Sequence, residues 1–165
     1  DVLQAFPGLL LAIAIVSILG PGLTNAMIAI GISRIPQFAR LQRATVLVVR
    51  ERQFVEASRA VGSNRVRLAL RHVFPNTLAP LAVLATVDMG TAVLVTGTLG
   101  FLGLGAVPPT PEWGAMLSDG RNLLLVAPHV VVAPGVAIAA VVLGFNLLGD
   151  GIRDLLDPRT VRGGH

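Results

Sequence analysis

Long apolar stretches alternate along this chain with compact clusters of charged and turn-forming residues. Residues 77–99 and 127–148 are each apolar over the roughly 20 residues that one bilayer-crossing helix needs. The first apolar region, residues 2–33, would measure about 48 Å as a single helix, well beyond a hydrocarbon core of about 30 Å. Gly20-Pro21-Gly22 interrupts it by removing a backbone donor and adding flexible backbone, and Thr24 or Asn25 is placed to cap a second helix. This predicts a tight hairpin whose second arm continues past Arg34 and Pro36; a single bent crossing is the alternative. The chain therefore reads as all-α, a polytopic membrane helix bundle of about four transmembrane helices forming one domain over residues 1–165.

Two polar segments carry patterns of their own. In the hinge at about residues 52–75, Phe54, Ala57 and Val61 recur at helical spacing, Gly62 is a natural stop, and Ser63 is able to cap a second helix. That second helix places Val66, Ala69, Leu70 and Val73 on one face, with Arg65, Arg67 and Arg71 largely elsewhere, and Pro75 suits the first turn of the next span. In the loop at about residues 101–126, Pro108-Pro109 ends the preceding segment, Thr110 is able to cap and Pro111 suits a first helical turn. Trp113, Met116 and Leu117 then line one face before Gly120, which predicts a short interfacial helix with Trp113 at headgroup depth.

Composition agrees with the pattern: 53% of residues are hydrophobic, only 13% are charged, and the mean hydropathy is +0.76. All thirteen cations are arginines. Nine of them, from Arg34 to Arg71, lie before the span at residues 77–99, and Arg153, Arg159 and Arg162 follow the last span. Cationic loops stay on the cytoplasmic side, so the hinge and the C-terminus are expected to face the cytoplasm, with residues 101–126 outside. Cysteine is absent, and His72, His129 and His165 are too scattered for a metal cluster. The chain begins at Asp1 without a charged leader and enters an apolar run almost at once, which reads as a fragment of a longer protein. An amphipathic pair in the hinge is able to rest on membrane lipid as a simple anchor. Nucleic acid is not expected, because the hinge lacks interleaved aromatics and is tethered between spans.

Glu56-Ala57-Ser58, then Gly62, then His72-Val73-Phe74-Pro75 resembles the EAA loop of permease subunits in ATP-binding-cassette importers. Residues 100–121 and 145–159 resemble the C-type permease of dipeptide and oligopeptide importers, and the chain would be its C-terminal portion, a partial type I transmembrane domain. The resemblance implies that Glu56, Ala57, Ser58, Arg59 and Gly62 form a coupling element docked in a groove of a separate ATPase. Small Ala57 and Ser58 permit close approach, Glu56 is able to pair with a partner cation, and Gly62 permits a sharp reversal. The resemblance also implies a second permease subunit, two ATPase subunits or domains that bind ATP and magnesium, and an extracytoplasmic substrate-binding protein. Glu112, Trp113 and Arg121 are its candidate contacts. Ser58 departs from the second Ala common in relatives, as His72 and Phe74 depart from Ile and Leu.

The chain has no Lys, so a Walker-type phosphate loop of its own is excluded, no cofactor is expected on it, and it is expected not to be an enzyme. The glycines from Gly97 to Gly105 read as close helix packing rather than a phosphate cradle. Asp88 is the one carboxylate within a span, where an unpaired charge costs about 2.5–3.5 kcal/mol. It either lines a pathway or has a buried polar partner. Three readings stand: a permease subunit importing di- or oligopeptides, or nickel or another cargo of that class; a secondary carrier or channel coupled through Asp88; and an anchoring subunit.

Overall fold

The computed structural model describes residues 7–156, and every regular element among them is helical. The expectations for residues 2–6 and for Arg159, Arg162 and His165 lie outside that range. The helices are α1 (Gly8–Leu19), α2 (Leu23–Arg50), α3 (Gln53–Ala60), α4 (Arg65–Leu68), α5 (Phe74–Phe101), α6 (Trp113–Gly120) and α7 (His129–Leu156). A π-helical turn, Ala69–Val73, joins α4 to α5 without a break, and a 3-10 turn, Arg121–Leu123, follows α6.

The stretch Arg65–Phe101, 37 residues, and α7, 28 residues, are long and apolar enough to cross a membrane. Only 11% of the most apolar window in each is buried within the chain, so these helices do not form the interior of a water-soluble domain. The hairpin forms as expected at Gly20-Pro21-Gly22, between α1 and α2. The second arm, α2, continues through Pro36 as one 28-residue helix, about 42 Å long. One detail differs: Asn25 does not cap α2. Its side-chain amide donates to the carbonyls of Leu19 and Gly20, both at 3.0 Å, and so satisfies the end of α1.

Pro75 lies in the first turn of α5, as expected, but α5 is not a separate helix. The α4–α5 helix runs straight through it, and the π turn explains how: a proline ring clashes with the carbonyl four residues back, and the wider turn relieves that crowding. Within this turn the Phe74 N–H donates to the Ala69 carbonyl, and the Asn76 side chain covers the His72 carbonyl at 2.6 Å.

The described residues form two compact units, residues 7–36 with 87–147, and residues 37–86 with 148–156. In the first, Ala12 and Val16 of α1 meet Ala26, Ala29 and Ile30 of α2 and Leu99 of α5. The small residues let the helices approach closely, which is how membrane helices gain packing energy. In the second, Val49, Val55, Leu68 and Val73 form a smaller core. Beside it, fully buried Thr77 donates to the Phe74 carbonyl at 2.8 Å and receives the Gln42 side-chain amide at 2.9 Å.

Candidate functional site: the hinge and the α5–α6 loop

The hinge is a helical knob closed by a glycine. Gly62 has φ 84°, a left-handed value that side chains disfavour, and it reverses the chain after α3. The Ser63 N–H donates to the Ser58 carbonyl at 3.2 Å and the Gly62 N–H to the Arg59 carbonyl at 2.9 Å. This pair of bonds is a Schellman closure, which satisfies carbonyls that a helix end otherwise leaves bare. The Ser58 and Ser63 hydroxyls add a bond of 3.0 Å across the reversal. Ser63 is thus part of the α3 closure, and the N-cap of α4 is Asn64, whose Oδ1 accepts from Val66 N at 3.4 Å. Ser63 does not cap the second helix because its N–H and hydroxyl already serve the first.

The buried face of the knob is narrow. Val55 is fully buried and Leu68 nearly so, whereas Phe54, Val61, Val66 and Leu70 are exposed, Val61 to 88%. Helices of eight and four residues bury a single side chain each, and those two meet Val49 and Val73. The stripe Phe54–Ala57–Val61 therefore lies uncovered beside exposed Glu56 and Arg59.

Asp88 is paired. Its carboxylate lies 3.4 Å from Arg34 Nε, with side-chain exposures of 12% and 21% respectively. Arg34 is therefore part of α2 and tied to α5, apart from the arginines of the hinge. Sequence reading missed this pair because the two residues lie in different helices, far apart along the chain.

The α5–α6 loop begins with a second Schellman closure: Leu104 N–H to the Leu99 carbonyl at 2.8 Å, Gly103 N–H to the Gly100 carbonyl at 2.9 Å, with Gly103 at φ 76°. The expected close packing of glycines is present, since a Cβ at Gly114 would strike the backbone of Gly97. α6 starts at Trp113, later than Thr110 and Pro111 predicted, and Glu112 is its N-cap residue without a side-chain cap bond. Its carboxylate turns away, with Oε2 accepting from Ala106 N at 2.7 Å. Trp113, Met116 and Arg121 are exposed, and Leu117 is half-buried.

A family model described as binding-protein-dependent transport system inner membrane component matches residues 1–162. The chain belongs to that family. It is 52% identical over 159 residues to the glutathione transport system permease protein GsiD of Escherichia coli O157:H7, and equally to those of Escherichia coli O1:K1 and Shigella flexneri serotype 5b. The alignments cover 96% of this chain and 52% of each relative, so the chain spans about half the length of the curated relatives it matches. In this inner membrane component the expected residues fall in three places. Glu56, Ala57, Ser58, Arg59 and Gly62 share the hinge knob; Asp88 joins Arg34; Glu112, Trp113 and Arg121 lie in and around α6.

Proposed function

We propose that the chain is part of the permease subunit of an ATP-binding-cassette importer, and that its hinge is where separate ATPase subunits push on the membrane helices. The observation that carries this reading is the uncovered stripe Phe54–Ala57–Val61 beside Glu56, on a knob held rigid by the Gly62 closure. Such a surface suits a groove in another protein, with apolar contact from the stripe and a charge-assisted bond from Glu56. α4 continues through the π turn into α5 as one helix, so displacement of the knob has a stiff path into a span. ATP binding would draw two ATPases together and tip the spans toward the outward-open arrangement, and hydrolysis would reset them. The chain itself would do no covalent chemistry, ATP and magnesium being held by the partners. A second permease subunit would complete the path, and an extracytoplasmic binding protein would deliver cargo near α6. The arginines of the hinge support a cytoplasmic placement of the knob and of the C-terminal end of α7.

For cargo, we propose di- and oligopeptides, with glutathione as the first compound to try because the relatives are named for it. The test uses the full-length subunit with its partners. Glu56→Lys and Gly62→Val should each lower ATPase copurification and ATP-driven uptake by at least about tenfold, the equivalent of roughly 1.4 kcal/mol of docking energy. Unchanged association and uptake in both variants would end the assignment. The intramembrane carboxylate of Asp88 favours a second reading, an ion-coupled carrier or channel. Uptake would then survive ATP depletion, collapse with the ion gradient, and shift in its ion dependence on Asp88→Asn.

A further inference from the structure

We propose that Glu112 is a positioning residue: its carboxylate is a releasable latch that seats α6 against the end of α5. This rests on the importer reading for its consequence in transport, but not for the latch itself.

The geometry is a cradle built for the carboxylate. Gly100 and Gly105 leave it space, for a Cβ added at either would run into Glu112. Both glycines are buried. The Ala106 N–H donates to Oε2 at 2.7 Å, a charge-assisted bond across the loop. The cradle therefore links three pieces: the last turn of α5 through Gly100, the loop through Gly105 and Ala106, and the N-cap of α6 through Glu112 itself. Just beyond, Gly114 meets the backbone of Gly97, an approach that leaves no room for a side chain between the start of α6 and α5. Leu117, one turn further, lines an apolar cleft with Gly97, Gly135 and Ile138.

The latch is weakly fastened for so close a fit. Oε1 is buried without a hydrogen-bond partner. The carboxylate also sits at the C-terminal turn of α5, where the helix dipole presents its negative end and disfavours an anion. One strong bond and steric fit thus work against an orphaned oxygen and an opposing dipole. A fastening of that kind holds α6 in one place and lets go when α5 or α6 is displaced, which suits a cover that must open and close with the transport cycle. It also means that Glu112 serves α6 from inside. The exposed Trp113, Met116 and Arg121 are left to face a partner.

The absence of cysteine within residues 1–165 makes a reporter simple to place. In the full-length importer with any cysteines outside this segment replaced, Leu117→Cys reports on the seating of α6 through its rate of reaction with a membrane-impermeant maleimide. Glu112→Ala should raise that rate roughly tenfold, the effect of losing one charge-assisted bond. Gly105→Ala, which leaves Glu112 in place but fills its cradle, should do the same. Glu112→Gln should keep the rate low, because its amide oxygen still accepts from Ala106 and its amino group suits the carbonyl end of α5. In uptake assays the first two variants should raise the apparent KM for receptor-delivered cargo by a larger factor than they lower the maximal rate, with Glu112→Gln rescuing both. If Glu112→Gln labels as fast and transports as poorly as Glu112→Ala, the charge is what matters and an external contact replaces the latch. Unchanged labelling in Glu112→Ala and Gly105→Ala would also overturn it. Labelling needs no ATP or cargo, so a failure of the importer reading would leave this readout standing.

Discussion

The two compact units use the same two devices with different chemistry. In each, α2 is tied to α5 by one polar contact: the ion pair Arg34–Asp88 in the first unit, and the neutral bond from Gln42 to Thr77 in the second. In each, a helix ends in a Schellman closure on a left-handed glycine, Gly103 in the first and Gly62 in the second. The closures are sealed differently. Leu104 packs into the core that contains Leu99, whereas half-buried Ser58 and Ser63 add a hydroxyl bond to the backbone bond they already share, and Val61 and Gly62 at the reversal are exposed. Both units leave large apolar side chains uncovered, Ile18, Leu102 and Leu125 in the first and Phe54, Val61 and Leu70 in the second. The difference teaches that one backbone reversal can be seated by an apolar side chain on a core or by a hydroxyl bond between two serines.

The largest expected effect breaks the charged tie. Asp88→Ala strands the Arg34 guanidinium between helices, and removing one partner of a buried pair costs about 3 kcal/mol at the low end of the usual range, which suits side chains 12% and 21% exposed. The double variant Arg34→Gln/Asp88→Asn should recover most of that loss by removing both charges together. Thermal unfolding of the purified assembly in lipid nanodiscs measures both. If Asp88→Ala is as stable as the parent chain, the pair does not brace the first unit.

A smaller effect tests how the first closure is sealed. Leu104→Ala removes an apolar side chain packed on the Leu99 core and should cost about 2 kcal/mol, because Leu104 is only partly buried. The same nanodisc unfolding curve reads it. Uptake by the protein that remains folded should be close to that of the parent, since the backbone bonds at Gly103 survive.

Much of this architecture was legible in the sequence because it follows from one-dimensional patterns. The spans at residues 77–99 and 127–148 appear as the cores of α5 and α7, because a run of apolar residues has few other ways to bury its backbone polarity in a membrane. Gly62 marked its reversal because a left-handed residue there must be small. What escaped were choices set by tertiary neighbours. Phe54, Ala57 and Val61 recur at helical spacing, but that periodicity does not say which face is covered, and Val55 is the residue that packs with Val49 and Leu68. Pro75 read as a helix start because its ring forbids an ordinary α turn before it; a π turn removes that conflict. Glu112 read as an outward-facing charge, and only the space left by Gly100 and Gly105 reveals that it folds inward.

The smallest expected effect is the most direct test of the contrast between the closures. Ser58→Ala removes the hydroxyl bond to Ser63 but keeps both backbone bonds of the closure, so stability should fall by about 1 kcal/mol or less. If the second unit's reversal exists to present a surface, rigidity of the knob matters more to docking than to folding. Ser58→Ala should then weaken ATPase association by a few-fold while the unfolding temperature barely moves, and Ser63→Ala should match it because both remove the same bond. Combining the two should cost no more than either alone, since only one contact is shared. Additive losses from the pair would mean that each serine meets a different neighbour, and that the knob is held by something other than their bond.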